Sequence, residues 1–513
     1  MNKLHKIFQG LFILILVFGA FGSASALPEV AGSVKAQSLL AQLAAQTPEV
    51  IVSVIIQKAD QSSQAEALVQ QLGGKVTKDL HIINAFAAEM RAGAAQKLAA
   101  NSAVRWVSLD APVHTSGEPI STTNLQGAFI KAVGADRLWN EGPAYLQGQG
   151  VTVAVVDSGD CVNCVDLADQ VNRPRTLVGV SVMTGPGNSN PVDHYGHGSL
   201  VEGIVGGTGV GLSGKYMGMA PGVNFVSVKV ANNLGEAQCS DVVNGLQWVY
   251  DHKDQYNIRV VNLSLNSDTL ESYVTNPIDA AVEILWFNGI VVVVAAGNNG
   301  TAALFPPAND PYVITVGATD DRGTTSLTDD MVASFSAYGM TESGFVKPDL
   351  VAPGTNLISI VPRTKNKIWK DHQRNYTGES ASNEYYMRVS GTSFSAPVVS
   401  GAVAMLLQDE PNLTPDQVKY RLMATANKDW PGYDVTTAGA GYLDIYAAVY
   451  GTTTESANTG ITASQLLWTG SQPVTWNSVS WNSVSWNNVS WNSVSWNSVS
   501  WNSVSWNSDY WEH

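Results

Sequence analysis

The stretch Val151-Thr152-Val153-Ala154-Val155-Val156 runs without a break into Asp157-Ser158-Gly159. A continuous apolar run of this length suits a strand that is buried on both faces of a parallel sheet. Further apolar runs and helical patterns alternate along the chain: Asn224 to Val230, Ser240 to His252, Val260 to Leu265, Asp279 to Asn288 and Ile290 to Ala295. This alternation predicts a doubly wound α/β domain with a mostly parallel sheet, which binds ligands beyond the carboxyl ends of its strands.

Four polar motifs lie where these apolar or glycine-rich segments end. In chain order the motifs are Asp157-Ser158-Gly159, Gly196-His197-Gly198-Ser199, Ala295-Ala296-Gly297-Asn298 and Ser390-Gly391-Thr392-Ser393. Together they offer a carboxylate, an imidazole, an amide donor and a hydroxyl, the groups that acyl transfer requires. Taken alone, each residue has a second interpretation. Asp157 also suits a strand-end cap or a metal ligand, and His197 suits a structural role. Asn298 also suits a turn, and Ser393 suits a helix N-cap. The order of the four motifs favours the catalytic interpretation.

The N-terminus of this 513-residue chain has the pattern of a secretory signal. Basic residues precede the apolar stretch from Leu11 to Phe21, and Ala24-Ser25-Ala26 offers small residues for cleavage. A membrane anchor is the alternative, but the apolar stretch is short for a bilayer span. No later segment has the length to cross a membrane. We therefore expect an exported, soluble mature protein.

Charge and cysteine content exclude several classes of function. The formal net charge of -15 argues against nucleic acid as a partner, because phosphate binding needs clustered Lys and Arg. Cys161 and Cys164 lack the βαβ context of a redox motif and the second ligand pair of a zinc site, while Cys239 is distant. A short local disulfide and buried thiols both remain open.

Residues 48 to 110 carry a different pattern, of short strands and two helices in βαββαβ order. The predicted elements are Val50 to Ile56, Ser63 to Leu72, Gly74 to Leu80, Ala85 to Met90, Ala94 to Ala100 and Val104 to Leu109. This order predicts a small α+β domain of ferredoxin-like type. An unrelated accessory domain is the alternative interpretation.

The C-terminal segment after Gly451 ends in a repeat of Trp-Asn-Ser-Val-Ser units, with Trp every five residues from Trp476 to Trp511. A five-residue period matches neither a helix nor a strand. Low-complexity disorder, a small solenoid, and a tail whose indoles bind glycan or the cell envelope all remain open.

The four motifs resemble those of the subtilisin family of serine endopeptidases, whose chain order is Asp, then His, then Ser. The resemblance covers about residues 128 to 450. It implies peptide-bond hydrolysis through an acyl-enzyme, with Ser393 as nucleophile, His197 as general base and then acid, and Asp157 orienting His197. Asn298 and the Ser393 backbone N–H would hold the oxyanion. The implied substrate-binding positions are Ser264, Leu265, Asn266, Ala295, Ala296 and Gly297.

The same resemblance implies a domain plan and a set of partners. It gives a signal peptide over residues 1–26, an inhibitory and chaperone-like propeptide over 27–115, a peptidase domain over 116–450, and a linker with the repeat tail over 451–513. Maturation falls near residues 110 to 127. The expected partners are polypeptide substrates and the chain's own propeptide. No cofactor is required for the chemistry. Asp166 matches a position that often binds calcium in the family, so a structural calcium ion remains open and no metal ligand set is assigned.

Three departures from the family pattern bear on substrate preference. Glu202 places an acid in a helix that is usually apolar there, and a buried carboxylate would need a partner. Phe394-Ser395 replaces the usual Met-Ala after the nucleophile. Asn266 stands where the family usually has Gly, which predicts a narrower or more polar pocket if its side chain projects inward. Two rival functions also remain: a catalytically silent envelope-binding protein, and a processing protease dedicated to one partner.

Overall fold

The computed structural model describes residues 35–110, 119–169, 171–185, 188–363, 366–467 and 503–506. The predicted signal peptide and most of the predicted tail lie outside the described residues. The chain divides into two compact units, Met1–His114 and Thr115–His513. Within the described ranges, none of the helices combines the length and the apolar character that a membrane span needs.

The first unit is a four-stranded antiparallel sheet with helices. Its strands are β1 (Ile51–Lys58), β2 (Lys75–Leu80), β3 (Ala85–Arg91) and β4 (Val104–Leu109), and its helices are α1 (Ser38–Gln46), α2 (Gln64–Gln71) and α3 (Ala92–Ala99). The strand order in the sheet is β2-β3-β1-β4. Val54 and Ile56 point from the central strand β1 into a core that they share with Phe86 and Val107. From β1 onward the elements follow the order βαββαβ, with α1 in front.

The second unit contains the remaining elements. Its strands are β5 (Thr152–Asp157), β6 (Thr176–Ser181), β7 (Asn224–Lys229), β8 (Ala237–Gln238), β9 (Ile258–Leu263), β10 (Leu265–Ser267), β11 (Val291–Ala295), β12 (Ile314–Asp320), β13 (Met331–Val332), β14 (Gly339–Met340), β15 (Val346–Lys347), β16 (Leu350–Pro353), β17 (Leu357–Pro362), β18 (Tyr376–Ser380), β19 (Glu384–Val389) and β20 (Ser503–Trp506). Its helices are α4 (Ala128–Ala132), α5 (Ala135–Trp139), α6 (His197–Gly206), α7 (Cys239–His252), α8 (Pro277–Phe287), α9 (Lys367–Asp371), α10 (Thr392–Asp409), α11 (Pro415–Thr425), α12 (Val435–Ala438) and α13 (Ile445–Tyr450).

A mostly parallel sheet forms the centre of this unit. The strand order is β13-β12-β11-β9-β5-β7-β6, with β16 also paired to β12, and only β12 and β13 run antiparallel. Every residue of β5 and β11 is buried, as the continuous apolar runs predicted, because helices cover both faces. The predicted doubly wound α/β fold is confirmed.

The parallel strands bring two of the polar motifs, together with Ser264, to one edge of the sheet. Asp157 ends β5, Ser264 follows β9, and Asn298 lies three residues after β11. Since β5, β9 and β11 lie side by side and parallel, their carboxyl ends lie at the same edge.

Two buried helices supply the other motifs. His197 begins α6 and Ser393 is the second residue of α10. Every residue of α6 is buried, and so is α10 from Thr392 to Leu407. Because both helices are buried, the positions of their first turns relative to the sheet are fixed.

Candidate active site

The carboxylate and the imidazole meet at the carboxyl edge of the sheet. His197 Nδ1 lies 2.8 Å from Asp157 Oδ1 and 2.9 Å from Asp157 Oδ2. Both side chains are fully buried. Burial raises the pKa of the Asp157 carboxyl, and the bonded His197 ring works in the opposite direction. A carboxylate in this position fixes which ring nitrogen carries the proton, so the second nitrogen, Nε2, is the one that can accept a proton.

A second acid, which the sequence analysis did not single out, organises the start of α6. Asp193 Oδ1 accepts from Gly196 N at 2.7 Å and from Ser158 Oγ at 2.9 Å. Its other oxygen accepts from Ser199 N at 2.9 Å and Ser199 Oγ at 2.6 Å. Asp193 is completely buried. It therefore connects the loop after Asp157 with the residues on both sides of His197. The sequence feature that could have identified Asp193 is its position shortly before a predicted helix start, where an Asp often acts as a cap.

Close backbone contact explains the glycines of two motifs. A Cβ on Gly198 would lie 2.5 Å from the Gly159 carbonyl oxygen. Gly159 itself has a φ of 134°, which side chains disfavour. The Ser158 hydroxyl accepts from Gly198 N at 2.9 Å in the same contact. The strand-end loop and the helix start thus pack backbone against backbone, which holds the imidazole beside the carboxylate.

Ser393 is held by reciprocal hydrogen bonds to Ser264. Ser393 Oγ donates to the Ser264 carbonyl oxygen at 3.0 Å, and Ser264 Oγ donates to the Ser393 carbonyl oxygen at 2.7 Å. Pro397 lies inside α10, four residues after Ser393, and has no N–H to give to the Ser393 carbonyl. The Ser264 hydroxyl supplies the bond that the helix lacks. The next residue, Phe394, places its ring 5.5 Å from the His197 ring, measured between centroids.

The orientation of the Asn298 amide is fixed by its neighbours. Asn298 Oδ1 accepts from both Thr392 N and Thr392 Oγ1 at 2.9 Å. Because a backbone N–H can only donate, the amide oxygen must face Thr392 and the amide nitrogen must point away. That nitrogen is buried and meets no acceptor within the described ranges. A donor without an acceptor thus lies next to the start of the helix that carries Ser393.

The two segments predicted to bind substrate lie on neighbouring strands. Leu265 and Asn266 belong to β10, and Ala295 ends β11, with Ala296 and Gly297 after it. Asn266 Nδ2 donates to the Ala295 carbonyl oxygen at 3.2 Å and, at 3.4 Å, to that of Phe305. The Asn266 amide therefore reaches across the space between the two segments, where a glycine would leave room.

Glu202 lies fully buried in α6. Its Oε2 accepts from Cys161 N at 3.4 Å. Burial, reinforced by the nearby Asp160, raises its pKa well above the usual value. The protonated, neutral form is consequently favoured, which reduces the cost of placing an acid in this helix.

Asp166 is engaged by protein groups. It accepts from Gly211 N at 2.8 Å and from Tyr386 Oη at 2.9 Å, and the same hydroxyl lies 3.1 Å from Glu384 Oε1. Burial and the charge of Asp166 raise the pKa of Glu384 to about 8. Each Asp166 oxygen thus accepts one hydrogen bond from a protein donor. Nowhere in the described ranges do three or more His, Cys, Asp or Glu gather in a way that could hold a metal.

Cys161 and Cys164 form a disulfide in the loop after Asp157. Cys239 takes no part in this disulfide and is buried. Of the two alternatives that the sequence left open, the structure contains the short local disulfide, together with one buried thiol.

Comparisons with known proteins agree with this arrangement. The Peptidase S8 profile, described as the subtilase family, matches residues 148–444. Serine protease AprX from Bacillus subtilis (strain 168) is 37% identical over 313 residues, which cover 60% of this chain and 67% of that protein. Subtilisin NAT from Bacillus subtilis subsp. natto is 29% identical over 370 residues, which cover 71% of this chain and 81% of that protein. Among solved structures, fervidolysin from Fervidobacterium pennivorans, described as a keratinolytic enzyme related to subtilisin, matches with a TM-score of 0.50 and 25% identity, over 79% of this chain and 62% of that chain.

Proposed function

The chain belongs to the subtilase family, and from this premise we propose that it is an exported endopeptidase, made as a zymogen, whose catalytic residues are Asp157, His197 and Ser393. Membership makes it a subtilisin-like serine endopeptidase that hydrolyses peptide bonds. The observation that carries the assignment of residues is the buried pair of His197 and Asp157, whose Nδ1 and Oδ1 atoms lie 2.8 Å apart, beside the helix whose second residue is Ser393.

In the proposed acylation step, Ser393 Oγ attacks the carbonyl carbon of the scissile peptide bond. The hydroxyl proton, now donated to the Ser264 carbonyl, passes to His197, and Asp157 stabilises the resulting imidazolium. His197 then returns the proton to the leaving amine as the carbon–nitrogen bond breaks. Water hydrolyses the acyl-enzyme by the same route, so the enzyme is regenerated with no net change in its protonation.

The negative charge on the carbonyl oxygen needs donors that are in place before the reaction. Asn298 Nδ2 is suited to this role because its oxygen is held by Thr392 and its nitrogen is left to donate. The Ser393 backbone N–H lies in the first turn of α10, where helix N–H groups have no helical partner and favour negative charge. Replacement of such a side-chain donor costs about 3 to 4 kcal/mol in a related subtilisin.

We further propose a preference for small or polar residues just before the scissile bond. The hydrogen bond from the Asn266 amide to the Ala295 carbonyl supports this preference, because it joins the two segments that are proposed to line the pocket. A library of peptides that differ at this one position tests the preference. Asn266→Gly should broaden the profile toward large apolar residues by about tenfold or more, since the amide no longer fills the space. An unchanged profile would contradict the preference.

The first unit is proposed as the propeptide, residues 27–115, and the export signal as residues 1–26. Parallel sheets form slowly because segments distant in sequence must meet, so a folding helper is physically reasonable. Contact of the tail with glycan or the cell envelope also remains a prediction. The chemistry needs no cofactor.

The decisive experiment compares Ser393→Ala with Ser395→Ala, a matched change two residues further along the same buried helix. Both variants are incubated with casein and with a serine-directed phosphonate. The wild type and Ser395→Ala should cleave casein and take up one phosphonate, and Ser393→Ala should do neither. Labelling of Ser393→Ala would reject the assignment.

Self-processing is tested separately by intact mass and N-terminal sequencing of the secreted product. The wild type should begin near residues 110 to 127, and Ser393→Ala should retain the first unit. Identical N-termini in the two proteins would exclude self-cleavage.

A further inference from the structure

One short strand of the C-terminal repeat lies between two strands near the proposed nucleophile. Strand β20, Ser503–Trp506, forms the middle of a three-stranded antiparallel sheet with β10 on one side and β8 on the other. Val504 pairs with Ser267 of β10 and with Ala237 of β8. Strands in a sheet lie about 4.8 Å apart, so β8 and β10 stand roughly 10 Å apart with space for one strand.

The strand runs in the direction of a substrate. Its last residue, Trp506, pairs with Leu265, which follows the residue whose carbonyl accepts from Ser393 Oγ. The C-terminal end of the strand therefore lies toward Ser393. A peptide that donates its acyl group to Ser393 must likewise present the C-terminal end of the segment before the scissile bond.

The repeat contains further copies of the same four residues. Ser-Val-Ser-Trp occurs at 478–481, 483–486, 493–496, 498–501 and 503–506, and Asn-Val-Ser-Trp at 488–491. Because five is odd, neighbouring units in one continuous strand would present opposite faces. In one continuous strand, neighbouring units therefore cannot present the same face to β8 and β10 at the same time. One unit binds at a time, and any other unit can take its place.

We propose that the C-terminal repeat binds in the substrate cleft between β8 and β10 as an intramolecular competitive inhibitor of the enzyme. This proposal rests on the proposed function and assigns the repeat a regulatory ligand role. Recognition is by main-chain pairing at two strand edges, the mode by which extended peptides add to a sheet. A protein substrate must displace the repeat before it can bind.

Tethering allows even a weak strand to compete. Attachment to the same chain gives an effective concentration on the order of millimolar, and each equivalent unit adds to it. Occupancy by the repeat raises the apparent KM and leaves kcat unchanged, because bound substrate reacts normally. We expect the intact repeat to raise KM for a soluble peptide at least threefold.

The test uses full-length variants that change the repeat without shortening it. Proline removes an N–H and is excluded from a strand that is paired on both sides. Threonine keeps the N–H and the β-branched shape of valine. One variant carries proline and its matched control carries threonine at the same six positions, Val479, Val484, Val489, Val494, Val499 and Val504.

The proline variant should have a KM at least threefold below the wild type with kcat within 1.5-fold, and the threonine variant should match the wild type. Addition of the synthetic peptide Trp-Asn-Ser-Val-Ser-Trp-Asn-Ser to the proline variant should raise KM again. An unchanged KM in the proline variant, or a change in kcat alone, would overturn the proposal. So would rapid removal of the repeat by the wild type but not by Ser393→Ala, since the repeat would then be a substrate.

Hydrogen exchange separates this proposal from the assignment of the catalytic residues. In Ser393→Ala protein from which the first unit has been removed with added wild-type enzyme, and whose repeat is intact by mass, amides of β8 and β10 should exchange at least tenfold more slowly with the native repeat than with the six prolines. This holds whether or not Ser393 is the nucleophile. Equal exchange rates would reject binding of the repeat, whereas loss of phosphonate labelling in every variant would reject the proposed catalytic residues alone.

Discussion

Removal of the Asp193 carboxylate should destabilise the second unit and weaken catalysis together. The variant Asp193→Ala leaves two buried backbone donors, Gly196 N and Ser199 N, without their acceptor. Each buried donor left unsatisfied costs about 1 to 3 kcal/mol, so the free energy of unfolding should fall by roughly 2 to 6 kcal/mol. The hydroxyls of Ser158 and Ser199 can rotate toward other acceptors and add little. Because the two donors left without an acceptor flank His197, kcat should also fall, by up to about 100-fold.

The measurement is a urea titration followed by tryptophan fluorescence, in a Ser393→Ala background that prevents self-digestion. Asp193→Asn keeps one oxygen, so its free energy of unfolding should fall by about half as much. The matched control is Asp434→Ala, which removes an exposed helix cap that accepts from Thr436 N at 2.7 Å. Water replaces that acceptor, so the free energy of unfolding of the control should fall by about 1 kcal/mol or less. Equal losses at the buried and exposed sites would refute the reasoning.

Three further predictions concern other groups. The pKa of Glu384 is raised to about 8 by burial and by Asp166, so between about pH 5 and 8 the folded protein keeps a proton that the unfolded chain has already released. The free energy of unfolding should therefore fall with rising pH across this window, by up to about 1.4 kcal/mol per pH unit from this group, and Glu384→Gln should flatten the fall in a pH series of urea titrations. An identical slope in both proteins would contradict the assignment. Ser264→Ala should lower the free energy of unfolding by about 1 to 3 kcal/mol, because the Ser393 carbonyl loses its donor. Ser264→Thr keeps a hydroxyl and should restore most of this stability. Equal unfolding curves for the two variants would contradict the role of the Ser264 hydroxyl. Thiol titration of the denatured protein without reductant should find one thiol per chain, from Cys239, and three would exclude the disulfide.

Much of the fold could be predicted because burial leaves a direct mark on sequence. The strands of the parallel sheet are covered on both faces and therefore read as apolar runs, which placed β5 within one residue of its observed bounds. The helix that follows His197 was predicted to start at Leu200 but begins at His197 itself. Its first turn is polar and glycine-rich, and is held by a cap from Asp193 that no apolar periodicity reveals.

The missing parts of the site depend on contacts between distant residues. The need of the Ser393 carbonyl for a donor follows from Pro397, but nothing local indicates that Ser264, over a hundred positions away, supplies it. Strand β20 was missed for a similar reason. Its five-residue period favours no regular structure, and its conformation comes from pairing with β8 and β10. Asn266 had been singled out as a departure from the family pattern, but its bond to the Ala295 carbonyl could not be predicted from the sequence.

Pro397 has a consequence for protein engineering. In an uninterrupted helix, the first turn follows any shift of the turns after it, because each carbonyl is bonded to an amide one turn later. Here the first link of that kind is absent, and the carbonyl of the nucleophile is anchored to Ser264 between two strands instead. The distal turns of this helix can therefore be redesigned for heat resistance or for a new hydrophobic interior, while Ser264 and Pro397 are kept as the pair that sets the position of Ser393.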